Sequence, residues 1–308
     1  MRAGGDEGGG HGFTCRPQGE IRKCDDGRGR GGGTLFVVGM GPGDAVQMTG
    51  RAREALSASE LIFGYRTYLE LLRPEFAGKE FRGSGMMKEV DRCREAIEAA
   101  FAGRRVALVS SGDSGVYGMA GLVLELIRDR QGGEGEIGLE IVPGVSAAQA
   151  SASLLGAPLM NDYASISLSD LLTPWDRIVK RLHAAGSGDF VVVLINPRSR
   201  GRREQIVEAR RILLEYRDGK TPVGIVRSAH RGAGRVVLTD IDGMLDHEID
   251  MLTTVIVGNS DTSRFGDVMV TKRGYGQSQK PSTTGNTCLR ADTHRQAGCH
   301  GEKQKHSP

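Results

Sequence analysis

The sequence of 308 residues is poor in aromatic residues, which make up 5% of it, and it contains a single tryptophan. It also lacks any uninterrupted run close to the roughly 20 apolar residues that cross a bilayer. Its first residues lack the apolar stretch of a signal peptide. We therefore expect no membrane insertion. Hydrophobic residues still make up 38% and charged residues 26%, which suits one large or two modest globular domains.

Cysteine is scarce and scattered. Cys93 alone lies in the central part of the chain, and the other four lie near its ends: Cys15, Cys24, Cys288 and Cys299. An odd set without a C-x-x-C pair does not indicate a disulfide framework, a zinc site or a redox site. The histidines of the central part are also widely separated, so we expect no metal ion. This cysteine usage predicts a cytoplasmic protein.

The chain has little excess charge, with a formal net charge of +3. Residues 1–33 and 276–308 are glycine-rich or polar tails, and we predict that both are disordered because they cannot bury enough apolar surface. Between them, residues 34–275 contain 30 basic and 31 acidic side chains. This balance argues against a dedicated nucleic-acid-binding protein. Affinity for an acidic ligand therefore has to come from local clusters of basic residues.

Between the tails, short apolar runs alternate with amphipathic stretches, which predicts an α/β protein. We expect two α/β domains with mixed sheets, at 34–157 and 158–275, and a ligand cleft between them. The runs 234–239 and 253–257 are expected to pair as an antiparallel edge. The predicted helices include 47–59, 87–101, 116–130, 175–185 and 203–216.

Three glycine-containing turns follow predicted strands of the N-terminal half. They are G-M-G-P-G-D at 39–44, S-G-D-S-G-V-Y-G at 111–118 and V-P-G-V-S-A-A at 142–148. The first fails the dinucleotide-binding pattern G-x-G-x-x-G because Asp44 replaces its last glycine, and no G-K-[ST] follows that would form a phosphate-binding P-loop. Ligands of open α/β sheets bind at the carboxyl ends of strands. Three such turns are therefore expected to gather on one edge of the sheet and line a single pocket.

Each turn also has an interpretation that needs no ligand. Asp44 is a candidate helix cap, and Asp113 or Ser114 is a candidate cap of the helix predicted at 116–130. The small residues of the third turn allow close packing of a helix. Recurrence of such turns within one domain favours a shared pocket over three unrelated structural roles.

The same turns carry a family pattern, and six further segments extend it from Thr34 to about Tyr275. G-x-G-P-G-D, S-S-G-D-x-G-x-Y-G and V-P-G-V-S-A resemble the S-adenosylmethionine-dependent tetrapyrrole methylases of the cobalamin and sirohaem pathways. The further segments resemble the subgroup that methylates carbon 17 of a corrin precursor and contracts the ring. They are G-Y-R-T-Y-L at 64–69, S-G-M at 84–86, S-L-S-D-L-L-T-P-W at 167–175, N-P-R-S-R-G-R at 196–202, T-P-V-G-I-V-R at 221–227 and M-L-T-T-V-I-V-G-N-S at 251–260.

The resemblance implies a homodimer that holds S-adenosyl-L-methionine between its two domains, mainly through backbone groups. The family's pattern places cofactor-binding positions at Pro42, Gly112, Asp113, Ser114, Tyr117, Ser146, Ala147, Ile195, Asn196, Arg227 and Ala229. Members of the family usually have proline where this chain has Ser114. That departure bears on the rigidity of the second turn, whereas a contact through backbone atoms would survive it.

The implied substrate is precorrin-3B or its cobalt-containing counterpart, cobalt-factor III, and either carries several carboxylates. Arg198, Arg200 and Arg202 follow a predicted strand closely, and each guanidinium can hold a carboxylate with paired donors. A solvated surface turn is the alternative interpretation. Ser169 is a further candidate for binding substrate. Arg66, Lys88, His230 and Arg231 are weaker candidates, each more typical of ordinary surface.

Any proton transfer that accompanies ring contraction needs an acid or a base, and Asp44 and Asp170 are the candidate catalytic residues. Asp113 is a third acidic residue to consider. Thr173 is a candidate helix cap before Pro174 at the first helical position, a combination that needs no ligand. Two alternative functions stay open at this point. One is a methylase of this fold that acts elsewhere on the macrocycle, and the other is a non-catalytic nucleotide-binding α/β protein.

Overall fold

The computed structural model describes residues 33–43, 45–130 and 137–275. The predicted tails at 1–33 and 276–308 therefore lie, apart from residue 33, outside the described residues, as does Asp44. All strands and helices described below belong to one compact unit. None of the helices among the described residues combines the length and the low polarity that crossing a membrane requires.

The first sheet contains five strands in the order β3-β2-β4-β1-β5, and every neighbouring pair is parallel. Each strand except β1 is reached from the previous one through a helical crossover or loop. The strands are β1 (Thr34–Gly39), β2 (Leu61–Tyr65), β3 (Glu80–Ser84), β4 (Arg105–Ser110) and β5 (Gly138–Val142), and the helices are α1 (Gly50–Ala58), α2 (Arg66–Leu72), α3 (Glu89–Phe101) and α4 (Ala120–Arg128).

Helices cover both faces of this sheet. Apolar side chains of α1 and α2 pack with Phe36 and Val38 of β1 on one face, and those of α3 and α4 pack with Leu35 and Val37 on the other. All six residues of β1 are buried, as expected for a strand inside a parallel sheet. Cys93 lies in the α3 side of this core, and burial raises the pKa of its thiol to about 12. It is an inert part of the core.

The second sheet has the order β10-β9-β11-β8-β7. Strands β7 and β8 are parallel and the remaining pairs are antiparallel. Helices α6 and α7 pack on one face, and α5 packs on the other. The elements are α5 (Ala147–Leu155), β7 (Tyr163–Ser167), α6 (Trp175–Ser187), β8 (Val191–Ile195), α7 (Glu204–Leu214), β9 (Pro222–Arg227), β10 (Arg235–Asp240) and β11 (Thr253–Val257).

A small third sheet has the order β12-β13-β6 and joins the segment after α5 to the end of the described chain. Its strands are β6 (Gly156–Ala157), β12 (Thr262–Phe265) and β13 (Val268–Thr271). Met269 of β13 is buried with Leu155 of α5.

The α/β fold class is confirmed, and the second sheet is mixed, whereas the first is wholly parallel. The expected pairing of 234–239 with 253–257 is wrong, because β9 lies between β10 and β11 and pairs with both. The physical reason is burial. All residues of β11 are buried, which suits an inner strand, whereas β10 leaves Val236 46% exposed at the edge. The division at residues 157 and 158 stays a prediction.

Several helix starts lie later in the chain than the sequence predicts. Residues 45–47 form a single 3-10 turn, and α1 begins at Gly50, where the Thr49 side chain accepts a hydrogen bond from the Ala52 N–H at 3.1 Å. Helix α4 begins at Ala120 rather than at 116. The cap of α6 is Pro174, without a side-chain hydrogen bond, so the expectation that Thr173 caps it is wrong. The sequence pattern does not predict the short helix α2 or the largely exposed edge strand β3.

Candidate active site at the carboxyl edge of the first sheet

The three glycine turns meet at one edge of the first sheet. They follow β1, β4 and β5, which are neighbours in a parallel sheet, so their carboxyl ends lie side by side. Gly41 of the first turn and Gly112 of the second exchange backbone hydrogen bonds, with N···O distances of 3.0 and 2.7 Å. The structure thus brings together the turns that the sequence predicts to be neighbours.

Bare glycine backbones let these turns approach one another. A Cβ atom on Gly39 would lie 2.7 Å from the Gly112 carbonyl oxygen and 2.7 Å from the Gly144 nitrogen. A Cβ atom on Gly144 would lie 2.2 Å from the same oxygen. Real Cβ atoms do not approach backbone this closely, so turn-to-turn packing by itself requires glycine at both positions.

Asp113 joins the second turn to the third. One carboxylate oxygen accepts from the backbone N–H groups of Gly115 at 2.8 Å and Val116 at 3.1 Å, and the other accepts from Gly144 N–H at 2.9 Å. The expectation that Asp113 caps the following helix is wrong, because that helix starts only at Ala120. Both carboxylate oxygens are engaged by backbone donors, so this side chain fixes the shape of the two turns.

Ser114 is fully buried, and its hydroxyl donates to the Val142 carbonyl oxygen at the end of β5, at 3.1 Å. It does not cap α4 either, whose first turn has no side-chain cap. This bond ties the second turn to the strand before the third turn. A proline at this position would have no side-chain donor, so this anchor of the turn depends on the serine.

Tyr117 connects the second turn to the second sheet. Its hydroxyl donates to the Ser165 carbonyl oxygen at 2.8 Å and accepts from the Ser167 N–H at 3.1 Å, both on the free edge of β7. Its backbone has φ of +55°, a left-handed conformation that is costly for a bulky residue. The strained backbone directs the ring across to the edge strand.

The third turn leads into α5, whose cap Ser146 makes no side-chain capping bond. Ala148 of its first turn is buried in the same cluster as the partly buried Ile195 and Ala229 of the second half. Two cofactor-binding positions predicted from the second half, Ile195 and Ala229, thus pack against the cluster that α5 shares with the second sheet.

The segments after β7 and β8 also form one unit. The Asn196 side-chain amide donates to Ser167 Oγ at 3.1 Å, and the Ser169 N–H donates to the same oxygen at 3.2 Å. Arg202 donates to the Asn196 carbonyl oxygen at 2.8 Å and to Ser169 Oγ at 3.4 Å. Asn196 has a φ of +52°, which asparagine tolerates better than most residues.

The three predicted substrate-binding arginines differ in their surroundings. Arg202 is 6% exposed and its guanidinium is directed at the protein itself. A backbone bridge between Ser199 and Arg202 closes a tight turn and leaves Arg200 exposed at its tip. Arg198 is half-buried. Neither Arg198 nor Arg200 forms a hydrogen bond or an ion pair with another described residue.

Of the two predicted catalytic carboxylates, the structure describes only one. Asp170 is exposed, and one of its oxygens accepts from the Gln205 side-chain amide at 3.0 Å. Asp44 lies outside the described residues. No group of three or more His, Cys, Asp or Glu side chains that could hold a metal ion occurs in the described parts of the chain.

Arg227 is engaged in an ion pair at the end of β9. Its Nε lies 2.7 Å from Asp250 Oδ2. Burial acts to raise the pKa of Asp250, but hydrogen bonds from Arg227, Thr253 and the Leu252 N–H outweigh it and hold that pKa below its ordinary value. Side chains alternate along a strand, and Val226 faces α5. The Arg227 side chain therefore lies on the opposite face, and a ligand beside α5 would meet its backbone.

Arg231 is a weaker candidate in the sequence analysis, but the structure shows that it contacts two of the glycine turns. It follows β9, yet its guanidinium donates to the Pro42 carbonyl oxygen in the first turn and to Ser111 Oγ in the second. It also lies over the Tyr68 ring, 5.5 Å from the ring centroid. Sequence spacing gives no signal for this contact, because residues 42 and 231 meet only through the packing of the two sheets.

Comparison with known proteins shows a family match. The family described as Tetrapyrrole (Corrin/Porphyrin) Methylases matches residues 34–243. A relative from Priestia megaterium named "Cobalt-factor III methyltransferase" is 53% identical over 245 residues, which are 79% of this chain and 45% of the relative. This chain thus spans about half the length of that relative.

Two further relatives match almost along their whole length. "Probable cobalt-factor III C(17)-methyltransferase" from Salmonella typhimurium is 48% identical over 78% of this chain and 99% of its own. "Precorrin-3B C(17)-methyltransferase" from a Sinorhizobium species is 40% identical over 80% of this chain and 99% of its own.

Solved structures agree with the sequence comparison. The methyltransferase CobJ matches with a TM-score of 0.72 and 34% identity, covering 78% of this chain and all of the other. Uroporphyrin-III C-methyl transferase from Thermus thermophilus, solved in complex with S-adenyl homocysteine, matches with a TM-score of 0.53 and 25% identity, covering 73% of this chain and 97% of the other.

Proposed function

The chain belongs to the tetrapyrrole (corrin/porphyrin) methylases, and from this we propose that it methylates carbon 17 of a corrin precursor, with contraction of the ring, in cobalamin biosynthesis. Support comes from relatives named for C(17) methylation at 40% and 48% identity. Two relatives named for cobalt-factor III, at 53% and 48% identity, are more similar to this chain than the relative named for precorrin-3B, at 40%. We therefore propose cobalt-factor III as the better substrate and precorrin-3B as the poorer one.

The methyl donor we propose is S-adenosyl-L-methionine, which supplies an electrophilic methyl group on sulfur when it is bound. The residues around the three turns suit such a molecule. Pro42, Gly112 and Ala147 present little side-chain bulk to a ligand, and Ile195 and Ala229 add apolar surface from the second half. The side chains of Asp113 and Ser114 hold the turns in place through hydrogen bonds to the backbone of Gly144 and Val142.

The macrocycle is proposed to lie beside the segments after β7 and β8. Arg198 and Arg200 have guanidiniums free of other described partners, and each can bind a peripheral carboxylate of the substrate. The neighbouring Leu171 and Leu172 are 72% and 97% exposed. These apolar side chains suit the flat face of a macrocycle better than they suit water. Arg202 holds this surface together from inside.

Acid or base work is proposed for Asp170 or Asp44, since the Asp113 oxygens are engaged by three backbone N–H groups. The remaining task of the protein is alignment: carbon, methyl group and sulfur have to lie in line while water is excluded. A homodimer and a cytoplasmic location also belong to the proposal, and light scattering of the purified protein tests the former.

One short chain of hydrogen bonds carries this proposal. The Tyr117 hydroxyl bonds to the backbone of Ser165 and Ser167, and Ser167 in turn bonds to Asn196. The turns proposed for the donor are thereby joined to the segments proposed for the substrate through a short chain of hydrogen bonds. This connection supports proposed donor and acceptor sites that lie near each other, as direct methyl transfer requires.

The test is incubation of the purified protein with labelled S-adenosylmethionine and, in parallel, with cobalt-factor III, precorrin-3B or uroporphyrinogen III. We expect transfer of one methyl group and a mass gain of one methylene unit, fastest with cobalt-factor III. Transfer to uroporphyrinogen III alone would identify a methylase acting at another ring position. A sample that binds S-adenosylhomocysteine but methylates none of the three contradicts the proposal.

A further inference from the structure

Arg231 reaches from the second half of the chain into the glycine turns of the first. Its guanidinium donates to the Pro42 carbonyl oxygen and to Ser111 Oγ and lies over the Tyr68 ring. These contacts use two of the five N–H donors of a guanidinium. The side chain is half-buried, and its other three N–H donors have no hydrogen-bond partner among the described residues.

Gly43 makes room for this side chain. A Cβ atom on Gly43 would lie 2.3 Å from Cγ, 2.5 Å from Nε and 2.8 Å from Cδ of Arg231. Its φ of +148° also favours glycine. The space that a side chain of Gly43 would fill is thus occupied by the side chain of Arg231. This explains a glycine that the dinucleotide-binding pattern does not.

Within the described part of the chain, the contacts of Arg231 leave its charge uncompensated. Its partners are a neutral carbonyl, a neutral hydroxyl and an aromatic ring, and no carboxylate among the described residues forms an ion pair with it. Other half-buried arginines of the chain do have one, such as Arg51 with Glu140. A partly desolvated guanidinium without a counter-charge binds an anion more strongly than an exposed one does.

We propose that Arg231, held in place by Gly43, Pro42 and Ser111, is the binding site for a carboxylate at the junction of the glycine turns and the second half. The inference rests on the proposed function, because both molecules in that reaction carry carboxylates. One source is the methionyl carboxylate of the donor, and the other is an acetate or propionate group of the macrocycle.

The variants Arg231→Met and Arg181→Met test this site. Each removes one positive charge, and Arg181 is an exposed residue of α6 that forms no hydrogen bond or ion pair with another described residue. Calorimetry gives the Kd of S-adenosylhomocysteine and of methylthioadenosine, which lacks the carboxylate. Steady-state kinetics give kcat and KM for the macrocycle. Arg181→Met should match the wild type in every measurement.

If the donor supplies the carboxylate, Arg231→Met raises the Kd of S-adenosylhomocysteine by about tenfold or more. The Kd of methylthioadenosine then stays within about twofold of the wild-type value. If the macrocycle supplies the carboxylate, the Kd values of both S-adenosylhomocysteine and methylthioadenosine stay unchanged. The KM for the macrocycle then rises by about tenfold or more. Gly43→Ala displaces the guanidinium without removing its charge, and it should impair the same ligand. Arg231→Lys should recover part of the loss.

Three results separate the possible failures. Absence of S-adenosylhomocysteine binding or of methyl transfer in the wild type contradicts the proposed function. With an active wild type, unchanged Kd and KM in Arg231→Met contradict the carboxylate site. Equal weakening of S-adenosylhomocysteine and methylthioadenosine also contradicts it, since that pattern shows a purely structural role.

Discussion

The carboxylate of Asp113 accepts a hydrogen bond from the backbone N–H of Gly144, 31 positions later in the chain, at 2.9 Å. Its other oxygen accepts from two N–H groups of its own turn. One side chain thereby fixes the relative position of two turns that follow neighbouring strands. The Asp113 carboxylate thus has a structural role in the glycine turns. Experiments can distinguish this structural role from a catalytic one.

Asp113→Asn should weaken the structure of the turns while sparing the chemistry. The amide keeps one acceptor but turns an N–H₂ group towards a backbone donor, which costs about 1–3 kcal/mol of unfolding free energy. We expect a lower denaturation midpoint in urea, weaker S-adenosylhomocysteine binding and an unchanged pH profile of kcat. A fall of kcat by three orders of magnitude at unchanged stability and affinity would instead make Asp113 an acid or base.

Ser114→Ala should also destabilise the protein. The change leaves the Val142 carbonyl oxygen without the buried hydroxyl that satisfies it, at a cost of about 1–2 kcal/mol. Urea denaturation measures the difference. The matched control is Ser187→Ala, which removes an exposed hydroxyl bonded to Ala184 and should change stability by less than about 0.5 kcal/mol. Equal effects of the two substitutions would contradict an anchoring role for Ser114.

The arginines after β8 should separate into two groups. Arg198→Met and Arg200→Met are expected to raise the macrocycle KM by about tenfold each and to leave S-adenosylhomocysteine affinity and thermal stability nearly unchanged. Arg202→Met removes a buried guanidinium bonded to Asn196 and Ser169, so it should lower thermal stability. Thermal unfolding and steady-state kinetics on all three variants decide the matter. Loss of stability in all three would show that the whole turn is structural.

The ion pair of Arg227 with Asp250 should contribute stability that depends on pH. The folded-state pKa of Asp250 is lowered, so this contribution is present above the unfolded pKa of about 4 and is lost as the pH falls through the folded-state pKa. Both side chains are about one-third exposed, so solvent screens their attraction and the contribution should be small.

Arg227→Met should therefore be less stable than the wild type at pH 7, and the stability difference should narrow as the pH falls through the folded-state pKa of Asp250. Chemical denaturation at a series of pH values measures this difference. A stability difference that does not narrow as the pH falls would show that Arg227 acts through packing rather than through the charge of Asp250.

Local sequence predicts much of the fold. The apolar runs at 35–38 and 106–110 identify β1 and β4, because strands buried on both faces need continuous apolar residues. The glycine turns that follow them are also local features, and their recurrence at strand ends predicts a shared edge. Helix starts were less accurate, because residues such as Val116 belong to the second turn, which Asp113 holds in a non-helical conformation.

Some features of the candidate site follow from the sequence, and others follow only from the tertiary structure. By itself the sequence determined the α/β class, the three turns, the scarcity of cysteine and the near-zero net charge of the central chain, and the family resemblance, since each depends on composition, on residues close together or on ordered motifs. Tertiary structure alone decided that Arg202 is buried while Arg200 is exposed, that β9 separates β10 from β11, and that Arg231 lies on Gly43. These depend on contacts between residues far apart in the chain, and their geometry exists only once the two sheets have packed.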